Sequence, residues 1–192
     1  MTDPIEQFTQ WLTLAKNTAS ITEPTAMTLA TATAEGKPSA RIVLLKGHDA
    51  RGFVFYTNLE SRKSVEIAHN PQGALCSYWM ALGRQVRIEG RIEPVSAEEA
   101  DIYFASRPRE SRIGAWASQQ SRPLESREAL ARAVEETTKK FEGRDVPRPD
   151  FWSGWRLIPE QMEFWQQSNF RLHDREVFSL RDGMWVYGRL YP

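Results

Sequence analysis

Arg84-Gln-Val-Arg-Ile-Glu-Gly90 alternates polar and apolar side chains from one residue to the next. In an extended chain this pattern places Val86 and Ile88 on one face and Gln85, Arg87 and Glu89 on the other. Such alternation is typical of a half-buried β-strand. The polar face is either ordinary protein surface or one wall of a polar ligand pocket.

Other short stretches typical of β-strands fill much of the chain, and turn-forming residues such as Glu35-Gly36 and Asp182-Gly183 separate them. The second pair is a strong hairpin signal. The stretches predict strands at residues 26–32, 39–46, 53–57, 74–79, 84–95, 155–166, 171–180 and 184–190. Helical spacing and capping patterns predict helices at residues 5–16, 61–69, 96–107 and 126–141. Because short strands dominate and rarely alternate with long helices, we expect a mainly β (α+β) fold, an antiparallel β-barrel or sandwich with peripheral helices.

The chain has 192 residues, 41% of them hydrophobic, which suits one domain (residues 1–192) with a real core. Its net charge is zero, which argues against a general nucleic-acid binder or a polybasic membrane protein. Of the 25 cations 19 are Arg, so small phosphorylated or carboxylated ligands are a candidate class. The single Cys76 excludes an intrachain disulfide, and neither a signal peptide nor a membrane span is visible. We therefore expect a cytoplasmic protein.

Several common site motifs are missing from the sequence. There is no glycine-rich nucleotide-binding motif and no nucleophile elbow. His48, His69 and His173 lie far apart without metal-ligand spacing, so we expect no metal site.

Two cations interrupt the apolar run Ser39-Ala-Arg-Ile-Val-Leu-Leu-Lys-Gly47. In a strand, Arg41 and Lys46 face opposite sides. Either they reach solvent from the strand ends, or they serve two different phosphate groups. Further on, Phe55-Tyr-Thr-Asn58 leads into a helix that begins at Ser61-Arg-Lys63. This is either an ordinary cap with solvated charges or an anion site at a helix N-terminus.

Two further clusters carry ligand-binding side chains. Tyr103 and Arg107 share a helical face, and Ser111 follows the break at Pro108. The three form either a capped helix end or a phosphate clamp. In an extended chain Arg171, His173 and Arg175 project from one face, which makes either a solvated edge strand or an active-site wall.

Taken in order, these segments resemble the pyridoxine/pyridoxamine 5′-phosphate oxidase family of FMN enzymes over essentially the whole chain. The matching motifs are Arg41-Ile-Val-Leu-Leu-Lys-Gly47, Phe55-Tyr-Thr-Asn58 with Ser61-Arg-Lys63, Arg84-Gln-Val-Arg-Ile-Glu-Gly90, Tyr103-Phe-Ala-Ser-Arg-Pro108, Ile113-Gly-Ala-Trp-Ala-Ser118 with Gln120-Ser121, Glu163-Phe-Trp-Gln166 and Arg171-Leu-His-Asp-Arg175.

The resemblance implies an FMN-binding split β-barrel homodimer, with FMN in a cleft between subunits and the C-terminal strands, about 155–190, completing the active site. It implies that the phosphate and ribityl chain of FMN are held by Arg41, Arg62, Lys63, Gln120 and Ser121, with Tyr56 and Thr57 alongside. The other FMN contacts that it implies are the strand residues Ile42, Val43, Leu44, Leu45 and Lys46, and at the flavin ring Gln85, Trp165 and Arg175. It also implies that the substrate phosphate is clamped by Lys46, Tyr103, Arg107 and Ser111. Arg171 and His173 are the implied catalytic residues, over the pyridine ring.

The implied activity is oxidation of pyridoxine and pyridoxamine 5′-phosphates to pyridoxal 5′-phosphate, by hydride transfer from C4′ to FMN. O₂ is the implied acceptor, giving H₂O₂, and the amine also yields ammonia. The alternatives are a related split-barrel flavin or deazaflavin reductase and a non-catalytic FMN- or pyridoxal-phosphate-binding protein. Two features depart from the family pattern: Gln167-Ser-Asn-Phe170 replaces a glycine-containing segment, and the longer N-terminal arm of some members is not expected.

Overall fold

The computed structural model describes residues 3–192, and Met1 and Thr2 lie outside the described part. In that part a nine-stranded antiparallel sheet is surrounded by five α-helices. The strands are β1 (Ala26–Ala32), β2 (Pro38–Leu44), β3 (Gly47–Asp49), β4 (Gly52–Asn58), β5 (Gln72–Trp79), β6 (Arg84–Pro94), β7 (Trp152–Gln166), β8 (Asp174–Arg181) and β9 (Met184–Arg189). The helices are α1 (Pro4–Lys16), α2 (Arg62–His69), α3 (Ala97–Ser106), α4 (Arg109–Ala117) and α5 (Arg127–Lys140).

The strand order is β2-β1-β5-β6-β7-β4-β3. In addition, β8 pairs with the C-terminal part of β7, and β9 pairs with β8. Strand β7 pairs with β4 near its beginning and with β8 near its end. The backbone N–H of Lys46, just after β2, donates to Val54 O in β4 at 2.8 Å, which joins strands from opposite ends of this order. The sheet therefore curls on itself into a half-barrel.

The core fills the inside of this curled sheet. Val86 and Ile88 of β6 are fully buried there, as their alternation predicts. Phe8 and Leu12 of α1 pack into the same cluster, and so does Ile67 of α2. Helix α2 therefore packs against β1, and its position decides where the candidate anion-binding residues Arg62 and Lys63 lie.

One glycine is required by close backbone packing. A register shift follows Glu89, and a Cβ on Gly90 would lie 2.0 Å from the carbonyl oxygen of Ile158 in β7. Any side chain at this position would force the two strands apart.

The mainly β fold with peripheral helices is confirmed, and so are the predicted helices and the Asp182-Gly183 hairpin. Both hairpin residues have positive φ, 50° and 76°, as a two-residue turn of this type requires. The predictions omitted α4 and also β3, which lies partly in the turn expected from the sequence at residues 48–52. Helix α4 begins directly after Pro108, which is its N-cap residue.

The single-domain organisation stays a prediction. No helix within residues 3–192 is long and apolar enough to cross a bilayer.

Candidate active site

A cleft of about 500 Å³ lies between the end of β2, β4, the start of α2, and helices α3 and α4. Eleven of the residues singled out in the sequence line it: Ile42, Val43, Leu44, Lys46, Tyr56, Thr57, Lys63, Tyr103, Arg107, Ser111 and Gln120. These residues come from five segments that are distant in sequence. The fold therefore brings most of the predicted phosphate-binding side chains into one place.

The first feature of the cleft is the buried ammonium of Lys63, which is 7% exposed. Lys63 Nζ donates to Thr57 Oγ1 at 3.0 Å, to Ser61 Oγ at 3.1 Å and to Gln120 Oε1 at 3.4 Å. All three acceptors are neutral. Burial, with the charge of Arg41 nearby, lowers the pKa of Lys63 to about 8. A buried cation held only by neutral oxygens at a helix N-terminus is a site that an anion would stabilise.

Arg41 and Arg62 lie next to this site but do not line the cleft. Arg41 Nη2 lies 3.2 Å from Glu66 Oε2, and Arg62 Nε lies 2.8 Å from Glu66 Oε1. Glu66 is 5% exposed and stands on α2 one turn after Arg62. Both guanidiniums are therefore fixed by one carboxylate beside Lys63.

The second feature of the cleft is Arg107, at the C-terminal end of α3. Its guanidinium carbon lies 4.8 Å from the ring centre of Trp152. Burial lowers the pKa of Arg107, with Tyr103 acting in the opposite direction. Its Nη1 is buried and has no hydrogen-bond partner within residues 3–192. Buried donors without a partner are rare in stable proteins, so this one marks Arg107 as a candidate ligand-binding residue.

Arg107 packs against a stack of aromatic rings that includes Trp152. Tyr103 stacks on Tyr56 with ring centres 4.0 Å apart, and Tyr56 stacks on Trp152 at 5.4 Å. Burial, together with the charge of Glu99, raises the pKa of Tyr56 to about 12, so its hydroxyl keeps its proton. Glu99 itself receives both hydrogen bonds from Arg156 Nη2, at 2.6 and 2.9 Å, which ties α3 to β7.

A second group of predicted residues lies at the far end of β7. Gln85 of β6 and Arg175 of β8 both stand in register with Trp165. The ring of His173 lies 4.6 Å from that of Trp165. Arg175 Nε donates to the buried carboxylate of Glu163 at 2.7 Å, and the pKa of Arg175 is raised by this bond.

His173 has a defined hydrogen-bond role. Its Nδ1 accepts from the backbone N–H of Ser168 at 3.2 Å. In the neutral ring the proton then sits on Nε2, which is free to donate to a ligand.

The expectation that Arg171, His173 and Arg175 alternate along one strand is wrong. Strand β8 begins only at Asp174, and Arg171 ends a short 3₁₀ turn, Asn169–Arg171. Phe170 and Arg171 have φ of 56° and 62°. These left-handed conformations turn the chain, so Arg171 is placed by a tight turn and not by strand alternation.

The two groups are far apart within one chain. Tyr56 pairs with Gly154, whereas Arg175 pairs with Trp165, eleven positions further along β7. At about 3.3 Å per residue this is roughly 35 Å along the strand. The cleft at Lys63 and Arg107 therefore contains none of the residues near Trp165.

Two other predicted residues lie outside the cleft. Leu45 is 5% exposed and belongs to the core. Ser121 is exposed in the loop after α4, with φ of 71°. Their assignment to cofactor binding stays a prediction.

Sequence reasoning gave no role to three residues that organise the site: Glu66, Trp152 and Glu163, although Glu163 belongs to one of the quoted motifs. Glu66 had a signal, because it stands four positions after Arg62 on one helix face. Glu163 had one too, since strand alternation places it on the same face as Trp165. Trp152 had none, because the strand was expected to begin at residue 155.

Comparison with known proteins finds family matches along almost the whole chain. Residues 14–141 match the family described as pyridoxamine 5′-phosphate oxidase. Residues 152–192 match the pyridoxine 5′-phosphate oxidase C-terminal dimerisation region.

Among full-length relatives, the pyridoxine/pyridoxamine 5′-phosphate oxidase of Granulibacter bethesdensis is 55% identical, over 99% of this chain and 91% of that protein. The enzyme of the same name from Rubrobacter xylanophilus is 56% identical, over 99% and 87%. Among solved structures, PhzG from Burkholderia lata 383, in complex with tetrahydrophenazine-1-carboxylic acid, superposes with a TM-score of 0.94 at 34% identity, over 100% of this chain and 94% of that one. A pyridoxamine 5′-phosphate oxidase-related, FMN-binding protein from Nostoc punctiforme has the same fold, with a TM-score of 0.80 at 16% identity and full coverage of both chains.

Proposed function

The chain belongs to the pyridoxine/pyridoxamine 5′-phosphate oxidase family, and we propose that it oxidises pyridoxine 5′-phosphate and pyridoxamine 5′-phosphate to pyridoxal 5′-phosphate with FMN as cofactor. In each turnover C4′ of the substrate gives up a hydride, and the hydroxyl or amino group on C4′ gives up a proton. O₂ takes the two electrons and becomes H₂O₂. With the amine, water then hydrolyses the substrate imine to aldehyde and ammonia.

One observation carries this proposal: within residues 3–192, a single cleft holds a buried and a half-buried cation without an anionic partner, Lys63 and Arg107. Keeping a desolvated cation without an anion costs free energy, so such positions are poor choices for stability alone. The reaction needs two phosphate monoesters bound in one active site, one on FMN and one on the substrate. Two separate anion sites in one cleft match that requirement.

The residues present fit FMN. Lys63 and Gln120 would hold its phosphate, with Thr57 alongside and Arg41 and Arg62 at the edge. Gln85, Trp165 and Arg175 would contact the flavin ring. FMN, when bound, supplies the two-electron acceptor that the side chains of the protein lack.

The substrate phosphate would be held at Arg107, with Lys46, Tyr103 and Ser111 in the same cleft. Binding the phosphate at a distance from the reacting carbon fixes the orientation of the pyridine ring, which lowers the entropic part of the barrier. Tyr103 keeps its proton because burial raises its pKa, so its hydroxyl can donate to phosphate.

Arg171 and His173 would act on the pyridine ring. Arg171 is permanently charged, so its role is orientation and charge stabilisation rather than proton abstraction. His173 offers Nε2–H as a donor to the ring while Ser168 fixes its other nitrogen. His173 lies beside Trp165, and neither Arg171 nor His173 lines the cleft of the same chain.

The site is therefore composite in this proposal. The match of residues 152–192 to a dimerisation region supports a homodimer. In the homodimer, the cleft of one subunit would be completed by the group around Trp165 of its partner, with FMN between the two. This arrangement, a cytoplasmic location and O₂ as acceptor are parts of the proposal.

The test is turnover by purified, FMN-loaded protein. We expect O₂ uptake and aldehyde formation with both pyridoxine 5′-phosphate and pyridoxamine 5′-phosphate, and ammonia only with the amine. Unphosphorylated pyridoxine serves as the control and should react poorly. Flavin binding without turnover would favour a binding protein, and turnover of other substrates only would favour a reductase.

A further inference from the structure

Glu66 is a buried carboxylate at the edge of the site to which the proposed function gives no role. It stands on α2, is 5% exposed, and faces β1 and β2. Its Oε2 accepts from Thr31 Oγ1 and from Ser39 Oγ, both at 2.5 Å. Arg62 Nε donates to Oε1 at 2.8 Å, and Arg41 Nη2 approaches Oε2 at 3.2 Å.

The same hydroxyl groups also bind Arg41. Arg41 Nη2 donates to Ser39 Oγ, and Arg41 Nη1 donates to Thr31 Oγ1 and, at 3.2 Å, to Leu29 O. Arg41 is thus held on several sides, while its position beside Lys63 keeps the two cations in electrostatic contact. The network leaves Arg41 one orientation.

Glu66 is ionised across the physiological pH range. Burial alone would raise its pKa, but the hydrogen bonds from Ser39, Thr31 and Arg62 outweigh burial and lower the pKa to about 2. The cluster of Arg41, Arg62, Lys63 and Glu66 therefore carries two net positive charges. A phosphate monoester dianion carries two negative charges.

We infer that Glu66 is a positioning residue for the FMN phosphate, holding the guanidiniums of Arg41 and Arg62 in place beside Lys63. This inference rests on the proposed function, since it assigns the phosphate of FMN to this cluster. Long cationic side chains lose rotamer freedom when they bind, and a fixed partner removes that loss from the binding step. Glu66 then favours phosphate binding although its own charge opposes an anion.

Because these two effects act in opposite directions on FMN affinity, the direction in which the Kd changes tells them apart. The variant Glu66→Gln removes the negative charge and the ion pairs while keeping the size of the side chain. Glu60→Gln is the matched control, because Glu60 lies just before α2 in an exposed ion pair with Arg122. The apoproteins are titrated with FMN and with riboflavin, which lacks the phosphate, and the quenching of flavin fluorescence gives each Kd.

For Glu66→Gln we expect the Kd for FMN to rise about ten- to a hundredfold, the range for losing charge-assisted contacts. The Kd for riboflavin should stay within about twofold, and Glu60→Gln should change neither value. Glu66→Asp, which keeps the charge on a shorter chain, should lie between wild type and Glu66→Gln. Should Glu66→Gln not fold, Glu66→Asp carries the same comparison.

Three results would overturn the inference. Tighter FMN binding by Glu66→Gln would mean that the carboxylate acts only as an opposing charge. Equal weakening of FMN and riboflavin would mean a general structural role, and no change in either Kd would mean no role in binding. If the wild-type protein binds neither flavin, the proposed function itself fails, and that outcome is distinct from these three.

Discussion

Arg107→Met tests whether the substrate phosphate binds at the end of α3. Methionine keeps an unbranched chain that can stay packed against Trp152, 4.8 Å from the present guanidinium carbon, but it removes the charge and the donors. In the native chain Nη1 is buried and unpaired within residues 3–192, so the apoprotein loses no hydrogen bond at that atom. The loss should therefore appear when the phosphate binds.

The size of the effect follows from the contacts that the phosphate would make. A hydrogen bond to a charged group contributes about 1.5–3 kcal/mol, and about 1.4 kcal/mol corresponds to tenfold in affinity. Since Arg107 is about half-buried and Lys46 and Ser111 remain, we expect KM for pyridoxine 5′-phosphate to rise about ten- to a hundredfold. The Kd for FMN should stay within about twofold, because FMN is assigned to the Lys63 site.

The assay combines steady-state O₂ uptake at varied substrate with flavin fluorescence titration of the apoprotein. Arg132→Ala, an exposed arginine on α5, is the control and should change neither value. Equal damage to KM and to FMN affinity would refute the reasoning, because it would place Arg107 at the wrong phosphate.

Two further predictions concern pH and subunit exchange. The pKa of Lys63 is lowered to about 8, so the affinity of the apoprotein for FMN should fall as pH rises from 7 to 9.5, as followed by fluorescence titration. The same shift means that the unfolded chain binds more protons than the native apoprotein from about pH 8 upward, so the free energy of unfolding should rise with pH there and not in Lys63→Met. A pH-independent Kd for FMN would contradict this role for Lys63. For a composite site, mixing Arg107→Met and Arg175→Met subunits should restore about a quarter of the wild-type activity measured at substrate concentrations well below KM, because half of the dimers are mixed and each has one intact site. No recovery in mixed dimers, isolated with two different affinity tags, would place both residues in one subunit's site.

The sequence was sufficient for most of the sheet because strands such as β1 and β6 alternate in burial and the turns between strands carry turn-forming residues. Val86 and Ile88 are buried as predicted, and Asp182-Gly183 forms the expected hairpin. Helix α2, with Lys63 in its first turn, follows from Ser61-Arg-Lys63. These elements depend on local patterns, which a single sequence contains.

Other features depend on contacts that local patterns do not contain. Helix α4 starts immediately after the proline that ends α3, and Arg171 adopts a left-handed conformation without a glycine. The strand around Arg171 was mispredicted because neither Phe170 nor Arg171 signals positive φ. The ionic environment of Arg41 also needs the fold, since its partner Glu66 comes from a separate element.

The central claim is that one cleft holds two separate anion sites, one at Lys63 and one at Arg107. A crystal structure of the protein with FMN and pyridoxal 5′-phosphate bound measures this directly. We expect the FMN phosphate within hydrogen-bond distance of Lys63 Nζ and the phosphate of the vitamin within that distance of the Arg107 guanidinium. A structure in which Arg107 faces solvent, or in which both phosphates are bound elsewhere, would contradict the account.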